Sequence, residues 1–398
     1  MRKKRSINQL FSNILNYLIM NKAIYFVAAA SLALASCSND ETLDMGNQKG
    51  ISFRTVAGLN SRVAEVTQSN LKGMSVTAFE NGADAAYFTD VNYTREGQTN
   101  TFVSNPEYNW LRGKTLNFLA LATSADAWDA AKTVTFDKAT NTYKTVLTDY
   151  TPDADISKHQ DLMIGTASGT ENNDAKGLDL TLKHILSQIE VRAKNTNAAY
   201  VYSIKGVRIV AVKGTGTYTS TESITPWTPK DNSRVKYEVV YDDAKELTTE
   251  MSVMKAEGDN AMLIPQRVDG WITGADIAND FDSYTGGTYI SLLLNVKSAS
   301  TGMYIYPAGS TEEAKTYGWA AVSTNNTTWK SGTKYIYTLD LSNGCGSVDP
   351  VDPGTGVTPD GTKDPVKGDQ IFGDPIKFDV TVAGWNGDPG QTSFPIPL

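Results

Sequence analysis

The chain has 398 residues, of which 40% are hydrophobic and 20% are charged, a composition typical of globular rather than disordered proteins. At roughly 100–200 residues per domain, this length allows two domains with separate cores. Residues 1–36 contain five basic and no acidic residues, so the formal net charge of −8 becomes about −13 for the rest of the chain. That negative charge argues against nucleic acid as a partner. The two cysteines, Cys37 and Cys345, and the two histidines are too few for a Cys/His zinc site, and we predict neither a metal nor a cofactor.

The N-terminus has the features of a lipoprotein signal. Residues 23–35 form an apolar run of 13, which is too short to span a bilayer and is typical of a signal peptide. The run leads into Leu34-Ala35-Ser36-Cys37, a lipobox in which the Cys37 thiol accepts a diacylglyceryl anchor. We therefore predict a signal peptide over residues 1–36 and lipidation at Cys37; the alternative is an ordinary secretory signal. We favour Met20 over Met1 as the start, because the segment from Met20 is a complete signal by itself.

After the signal, residues 37–50 are polar and are predicted to form a tether. From Ile51 onward, alternating or β-branched segments follow one another, separated by clusters of Gly, Asn, Asp, Ser and Pro. Helical periodicity is scarce, so the sequence predicts an all-β fold built of sandwiches. The predicted strands are Ile51–Thr55, Met74–Phe79, Leu116–Leu121, Leu178–Leu182, Ile189–Ala193, Val207–Val212, Tyr289–Val296, Tyr335–Leu341 and Ile376–Val382.

The polar stretch Lys194–Tyr200 divides the strands into two predicted domains, an N-terminal β-sandwich over residues 51–195 and a C-terminal one over 196–398. Within the second, Ser342–Asp369 is rich in Gly, Pro, Asp and Thr and is predicted to be an extended loop before a closing strand at 376–382. Its aspartates could bind calcium, but their spacing matches no known loop, so we interpret the segment as a solvated acidic linker. These aspartates are Asp349, Asp352, Asp360 and Asp364.

The sequence contains no recognisable catalytic constellation. It has no Gly-x-Ser-x-Gly elbow, phosphate loop or His-Glu-x-x-His motif. The paired carboxylates Asp242 and Asp243 are adjacent in a strand pattern and would point to opposite faces. His184 lies at the edge of an apolar strand, where a structural hydrogen bond is its expected role. We predict that the protein is not an enzyme. Seven tryptophans and nineteen tyrosines leave a sugar-binding platform open as an alternative.

Six segments, in order, resemble those of the fimbrillin family, the subunits of type V pili. Each is weak alone, but together they follow a lipobox and cover nearly the whole chain. The segments are Trp110-Leu111-Arg112-Gly113 with the following Leu116–Ala120, Asp161–Ile164, Leu180–Ile189, Met262–Gln266, Trp329–Tyr337, and Ile376–Val382 with Trp385.

The resemblance implies two transthyretin-like β-sandwich domains in tandem and a role in pilus assembly. In such pilins, the precursor is lipidated and carried to the cell surface. A protease then cuts after an arginine that follows the first strand. That strand leaves, and the C-terminal strand of the next subunit fills the opened groove. The same exchange is physically reasonable, because a donated strand satisfies both the unpaired backbone groups and the apolar slot.

Transferred to this chain, the resemblance assigns the removable strand to Ile51, Phe53 and Thr55, which alternate to one face. Arg62, in a turn-rich loop, is the expected cleavage site. Arg54 is the second choice, because it lies inside the strand. The donor strand would present Ile376, Phe378, Val380 and Val382.

The expected partners are other fimbrillin subunits, in a homo- or hetero-polymer, and the outer membrane through the lipid anchor. Host or bacterial surface ligands are further expected partners. The expected location is the outer face of the outer membrane and the fimbrium. The alternatives are a non-polymerising pilus anchor or tip protein, and a surface glycan-binding lipoprotein with exposed aromatic side chains.

Overall fold

The structure, a computed structural model, describes residues 50–55, 71–124, 131–173, 177–220, 226–247, 249–254 and 260–384. These described residues belong to one compact unit. The predicted signal peptide, lipidation site Cys37 and cleavage site Arg62 lie outside the described residues, as does Trp385.

Nearly all of the regular secondary structure in the described residues is β-strand, which confirms the predicted all-β class. Two single 3₁₀ turns, Ile156–Lys158 and Glu171–Asn173, interrupt them. No helix in the described ranges is long and apolar enough to cross a membrane. The strands are β1 (Phe53–Thr55), β2 (Gly73–Glu80), β3 (Ala86–Arg95), β4 (Thr101–Ser104), β5 (Leu116–Thr123), β6 (Lys132–Asp137), β7 (Thr142–Tyr150), β8 (Leu162–Gly169), β9 (Leu178–Leu180), β10 (Lys183–His184), β11 (Ser187–Lys194), β12 (Tyr200–Lys213), β13 (Gly216–Thr219), β14 (Trp227–Pro229), β15 (Arg234–Glu246), β16 (Glu250–Ser252), β17 (Ala261–Leu263), β18 (Arg267–Val268), β19 (Tyr289–Ser298), β20 (Tyr304–Tyr306), β21 (Gly318–Ser323), β22 (Thr327–Thr328), β23 (Thr333–Asp340), β24 (Ser347–Val348) and β25 (Lys377–Gly384).

The first half of the chain forms an eight-stranded sheet in the order β10-β8-β5-β2-β3-β4-β1-β9. Its two terminal strands, β9 and β10, are separated by only two residues in the chain, and β9 lies against β8. The sheet therefore curls round until its ends meet. Gly165 permits the close approach there, because a Cβ at this position would lie 2.5 Å from the carbonyl oxygen of Thr181.

Side chains of this curled sheet alternate between two apolar clusters. On β5, Phe118 and Ala120 face the interior, whereas Leu119 and Leu121 face outward. The outward residues are covered by the hairpin of β6 and β7, whose Tyr143 donates a hydrogen bond of 2.5 Å to the carbonyl oxygen of Asn117. Both faces of β5 are therefore buried, which explains its continuous apolar run from Phe118 to Ala122.

The second half is a sandwich of two sheets that share one core. One sheet has the order β16-β11-β23-β25, with β17 also paired to β11. The other has the order β15-β12-β19-β21-β24, with β20 paired to β19. Alternating residues such as Val191 from the first sheet and Leu292 from the second meet in this core, together with Trp329 and Tyr337.

Strand pairing crosses the predicted domain boundary at residue 195. β11, from the predicted first domain, pairs in parallel with β23 over its whole length. A four-stranded sheet combines β6 and β7 with β13 and β14. The division into 51–195 and 196–398 and the tandem transthyretin-like arrangement stay predictions.

The segment Ser342–Asp369 is not the solvated acidic linker that its composition indicates. Two of its aspartates, Asp349 and Asp364, are buried, and β24 pairs with β21. Asp364 accepts hydrogen bonds from the backbone amides of Ala308 and Thr358, at 2.8 and 3.0 Å. Composition misleads here because a buried aspartate is stable when backbone and side-chain donors surround it. Among the described residues, no group of three or more Asp, Glu, His or Cys side chains could hold a metal ion.

Candidate strand-exchange site

The first strand, β1, presents one apolar and one polar face. Ile51, Phe53 and Thr55 are buried, with Phe53 at 0% exposure, whereas Ser52 and Arg54 between them are partly exposed. This alternation is the one expected from the sequence, because successive residues of a strand point to opposite faces.

Strand β1 is held on both sides. It pairs antiparallel with β4, where Phe53 lies opposite Phe102, and parallel with β9, where it lies opposite Leu178. The backbone amide of Ile51 donates to the carbonyl of Tyr108 at 2.6 Å, and the amide of Leu178 donates to the carbonyl of Ser52 at 2.9 Å. β1 is therefore the seventh of the eight strands and has a strand partner on each side.

The Phe53 side chain fills an aromatic slot inside the curled sheet. Its ring centroid lies 5.0 Å from that of Tyr93 and 5.1 Å from that of Phe118, both in edge-to-face geometry. Burial raises the pKa of Tyr93 well above its usual range, as expected for a dry site. If β1 were absent, this slot and the backbone edges of β4 and β9 would be open together.

The polar face of β1 has one ionic contact with its parallel neighbour. Arg54 Nη2 lies 2.8 Å from Asp179 Oδ1, and the two residues stand opposite each other in the β1–β9 register. Arg54 is within a strand paired on both sides, where a protease has poor access to the backbone. No local sequence pattern indicates Asp179 as the partner of Arg54, because the parallel pairing joins residues that are far apart in the chain.

The last described strand, β25, lies at an edge of its sheet. It pairs antiparallel with β23 from Lys377 to Gly384, and it has no second strand partner within the part of the chain that the structure describes. Phe378 and Val380 are buried, and Ile376 and Val382 are half-buried against the same core. The four residues predicted to present one face of the donor strand therefore do share a face.

The two strands have the same apolar spacing. Ile51, Phe53 and Thr55 correspond in size and spacing to Ile376, Phe378 and Val380. Each segment therefore places a β-branched residue, an aromatic ring and a second β-branched residue on one face. The polar positions differ, because Ser52 and Arg54 correspond to Lys377 and Asp379.

A family model described as fimbrillin-like matches residues 61–358, three quarters of the chain. The chain belongs to the fimbrillin-like family. This confirms the resemblance found in the sequence. No curated protein matches the chain in sequence.

Several solved structures resemble the fimbrillin-like chain weakly. A candidate cell adhesion protein from Bacteroides uniformis is 12% identical, covers 86% of this chain and 99% of its own, and has a TM-score of 0.40. One from Bacteroides ovatus is 15% identical, with coverages of 74% and 93% and a TM-score of 0.36. A candidate adhesin from the same species is 10% identical, with coverages of 89% and 98% and a TM-score of 0.33.

In this fimbrillin-like protein, the segment before β25 is pinned to the second sandwich by a buried ion pair. Arg208 Nη2 lies 2.6 Å from Asp349 Oδ2, and the guanidinium stacks over the Trp319 ring at 4.1 Å. Asp349 also accepts hydrogen bonds from Tyr289 Oη at 3.0 Å and Ser291 Oγ at 2.6 Å. Sequence reasoning missed this anchor, and no local signal distinguishes Asp349 from the exposed aspartates beside it.

A cavity of about 420 Å³ lies beside this anchor, lined by Arg208, Lys236, Phe281, Asp352 and Lys367 among others. The five tryptophans in the described ranges are all buried. They are Trp110, Trp227, Trp271, Trp319 and Trp329.

Proposed function

We propose that this protein is a structural or adhesive subunit of a surface fimbrium, assembled by strand exchange. The observation that carries the proposal is the pair of strands described above, a buried β1 in an aromatic slot and a β25 with the same apolar spacing. Membership of the fimbrillin-like family supports it. In this proposal, export uses the signal at residues 1–36 and a lipid anchor on Cys37 at the outer membrane.

Cleavage after Arg62 would release β1 together with the N-terminal tether. The loss leaves a hydrophobic slot and two rows of unpaired amides and carbonyls on β4 and β9. These groups are unfavourable in a sheet that stays open, so the emptied protein gains stability from any strand that restores both kinds of contact. A donor that pairs by β-augmentation supplies them.

The donor would be β25 or its counterpart in another subunit. Its ladder with β23 must open, whereas the anchored segment up to Asp374, whose amide donates to the Asn343 carbonyl at 2.9 Å, remains in place. The arm that exchanges would therefore begin near Pro375. When the arm of one subunit fills the slot of the next, head to tail, the product is an open filament rather than a closed ring.

Treatment with an arginine-specific protease tests the processing step. We expect a new N-terminus at Val63 and, on an unheated denaturing gel, a ladder of oligomers. Arg62→Ala should abolish both, whereas Arg54→Ala is the matched control and should change neither. Cleavage at Arg62 without any oligomer would contradict the polymerising role and favour a tip protein. An uncut chain that keeps β1 and its lipid would favour an anchor.

Metabolic labelling with palmitate tests the anchor independently. Cys37→Ala should lose the label, and Cys345→Ala, which alters the buried cysteine near β24, should keep it. An undiminished label in Cys37→Ala would show that the lipobox is not used.

A further inference from the structure

The polar face of β1 differs from that of β25, although the apolar faces of the two strands match. The apolar positions of β1 and β25 match, so the aromatic slot cannot by itself distinguish this chain's own donor strand from that of another subunit. The difference lies at the position of Arg54, which is occupied by Asp379 when Phe378 is aligned with Phe53.

Asp179 faces that position across the parallel ladder. It forms an ion pair of 2.8 Å with Arg54 in the present structure. A donor that runs in the direction of β1 reproduces the observed pairing with β4 and β9, and it places the side chain after its aromatic residue beside Asp179. For β25 of a second copy, this side chain is the carboxylate of Asp379, so an attractive pair is replaced by two like charges directly opposite each other.

We propose that the slot left by β1 takes its donor strand from a different subunit, one with a cationic side chain in the place of Arg54. It does so in preference to β25 of a second copy of this chain. This inference rests on the strand exchange proposed above and adds the chemistry of the partner: a strand with β-branched, aromatic and β-branched residues on one face and Lys or Arg after the aromatic. Such a preference makes the protein a member of a mixed fimbrium.

The opposite docking direction makes a different prediction. A reversed β25 with Phe378 in the slot places Lys377, rather than Asp379, beside Asp179. That direction would pair parallel to β4 and antiparallel to β9, the reverse of the pairing that β1 makes on both sides. The two directions are separable because they involve different charged residues of the donor.

Displacement of β1 by synthetic strands provides the test. The chain from residue 38 is cut once between residues 56 and 70, at an introduced site for a sequence-specific protease, so that β1 remains only by non-covalent contacts. Peptides spanning Ile376–Ala383 are then added, and release of the N-terminal fragment is measured by native mass spectrometry. The peptides carry the natural sequence, Asp379→Arg, Lys377→Glu, or Phe378→Ser as a control that lacks the aromatic ring.

We expect the Asp379→Arg peptide to reach half-displacement at about fivefold lower concentration than the natural peptide at low salt, with the ratio shrinking as salt screens the charges. In an Asp179→Lys acceptor the preference should reverse, whereas Asp231→Lys, on an exposed turn between β14 and β15, should leave it unchanged. These results would support the inference.

Three results would overturn it. Equal displacement by the natural and Asp379→Arg peptides would remove the charge selection and leave strand exchange intact. Sensitivity to Lys377→Glu but not to Asp379→Arg would establish the reversed direction, in which this chain accepts its own donor. A peptide with the β1 sequence is the positive control and sets the concentration at which displacement is complete. If every β25 peptide fails at that concentration, both strand exchange and the inference are ruled out.

Discussion

Strands β1 and β25 have the same apolar spacing but are held in opposite ways. β1 makes two register pairs with β4 and three with β9, so it is short but enclosed. β25 makes eight register pairs with β23 and, in the described structure, none on its other side. A short enclosed strand leaves a slot that only another strand can fill, whereas a long edge strand can separate along a single ladder. The pairing of β1 therefore suits a strand whose removal opens a slot, and the pairing of β25 suits an arm that can be donated.

Truncating the central aromatic residue of each strand is the strongest test of this contrast. Phe53→Ala should lower the free energy of unfolding by about 3–5 kcal/mol, because Phe53 is enclosed by rings that cannot easily collapse. Phe378→Ala should cost less, about 2–3 kcal/mol, because an edge strand can shift to fill the space. Urea unfolding of both variants measures the difference. A larger loss for Phe378→Ala would contradict the assignment of β1 as the enclosed strand.

The anchor beside the arm can be broken separately. Asp349→Ala removes the partner of buried Arg208 and should destabilise the second sandwich by about 3–4 kcal/mol, because an uncompensated charge remains inside. Asp352→Ala, whose side chain is 58% exposed and contacts the same arginine at 3.2 Å, is the matched control and should cost under about 1 kcal/mol. Urea unfolding curves give the free energy of unfolding of both variants. Similar losses in the two would show that Asp349 does not hold the segment before β25 in place.

The contrast between the strands explains which parts of the fold were predictable. The alternation of Ile51, Phe53 and Thr55 and that of Phe378 and Val380 depend only on the two-residue period of a strand, which a sequence displays directly. The parallel pairing of β1 with β9 depends on contacts more than 120 residues apart, and no local pattern specifies it. The burial of Asp349 likewise depends on Arg208 on a distant strand, so composition alone indicated an exposed linker.

Acid should loosen the region that joins the two halves of the molecule. Buried His159 accepts a hydrogen bond at Nδ1 from the Met262 amide at 3.0 Å and donates from Nε2 to the Asp153 carbonyl at 2.7 Å. This pattern fixes the neutral tautomer, and a second proton at Nδ1 would face the Met262 N–H. Burial lowers the pKa of His159 to about 4, despite the opposing effects of the Asp153 carbonyl and of the Asp153 and Asp155 carboxylates.

The sign of the pH effect follows from that lowered pKa. The unfolded chain, with a histidine pKa of about 6.5, binds a proton that the folded chain does not. Above pH 6.5, His159 therefore has no effect on the free energy of unfolding. As the pH falls from 6.5 towards 4, its titration lowers the free energy of unfolding by up to about 3 kcal/mol. Urea midpoints at pH 7.5 and 4.5 measure the effect, and His159→Gln should show a smaller difference. An equal difference in both proteins would assign the acid sensitivity to other groups.

The smallest expected effect concerns the polar face of β1, and it separates stability from selectivity. The side chains of Arg54 and Asp179 are 43% and 64% exposed, so their ion pair should couple by only about 0.2–1 kcal/mol in a double-mutant cycle with alanine. That coupling should fall further as salt is raised from 0.05 to about 0.5 M. A coupling above about 2 kcal/mol would mean that the pair helps to hold β1 in place. A small coupling between Arg54 and Asp179 agrees with the proposed role of the slot. Apolar contacts then determine whether a strand binds, and the charge on Asp179 only distinguishes between strands that already fit.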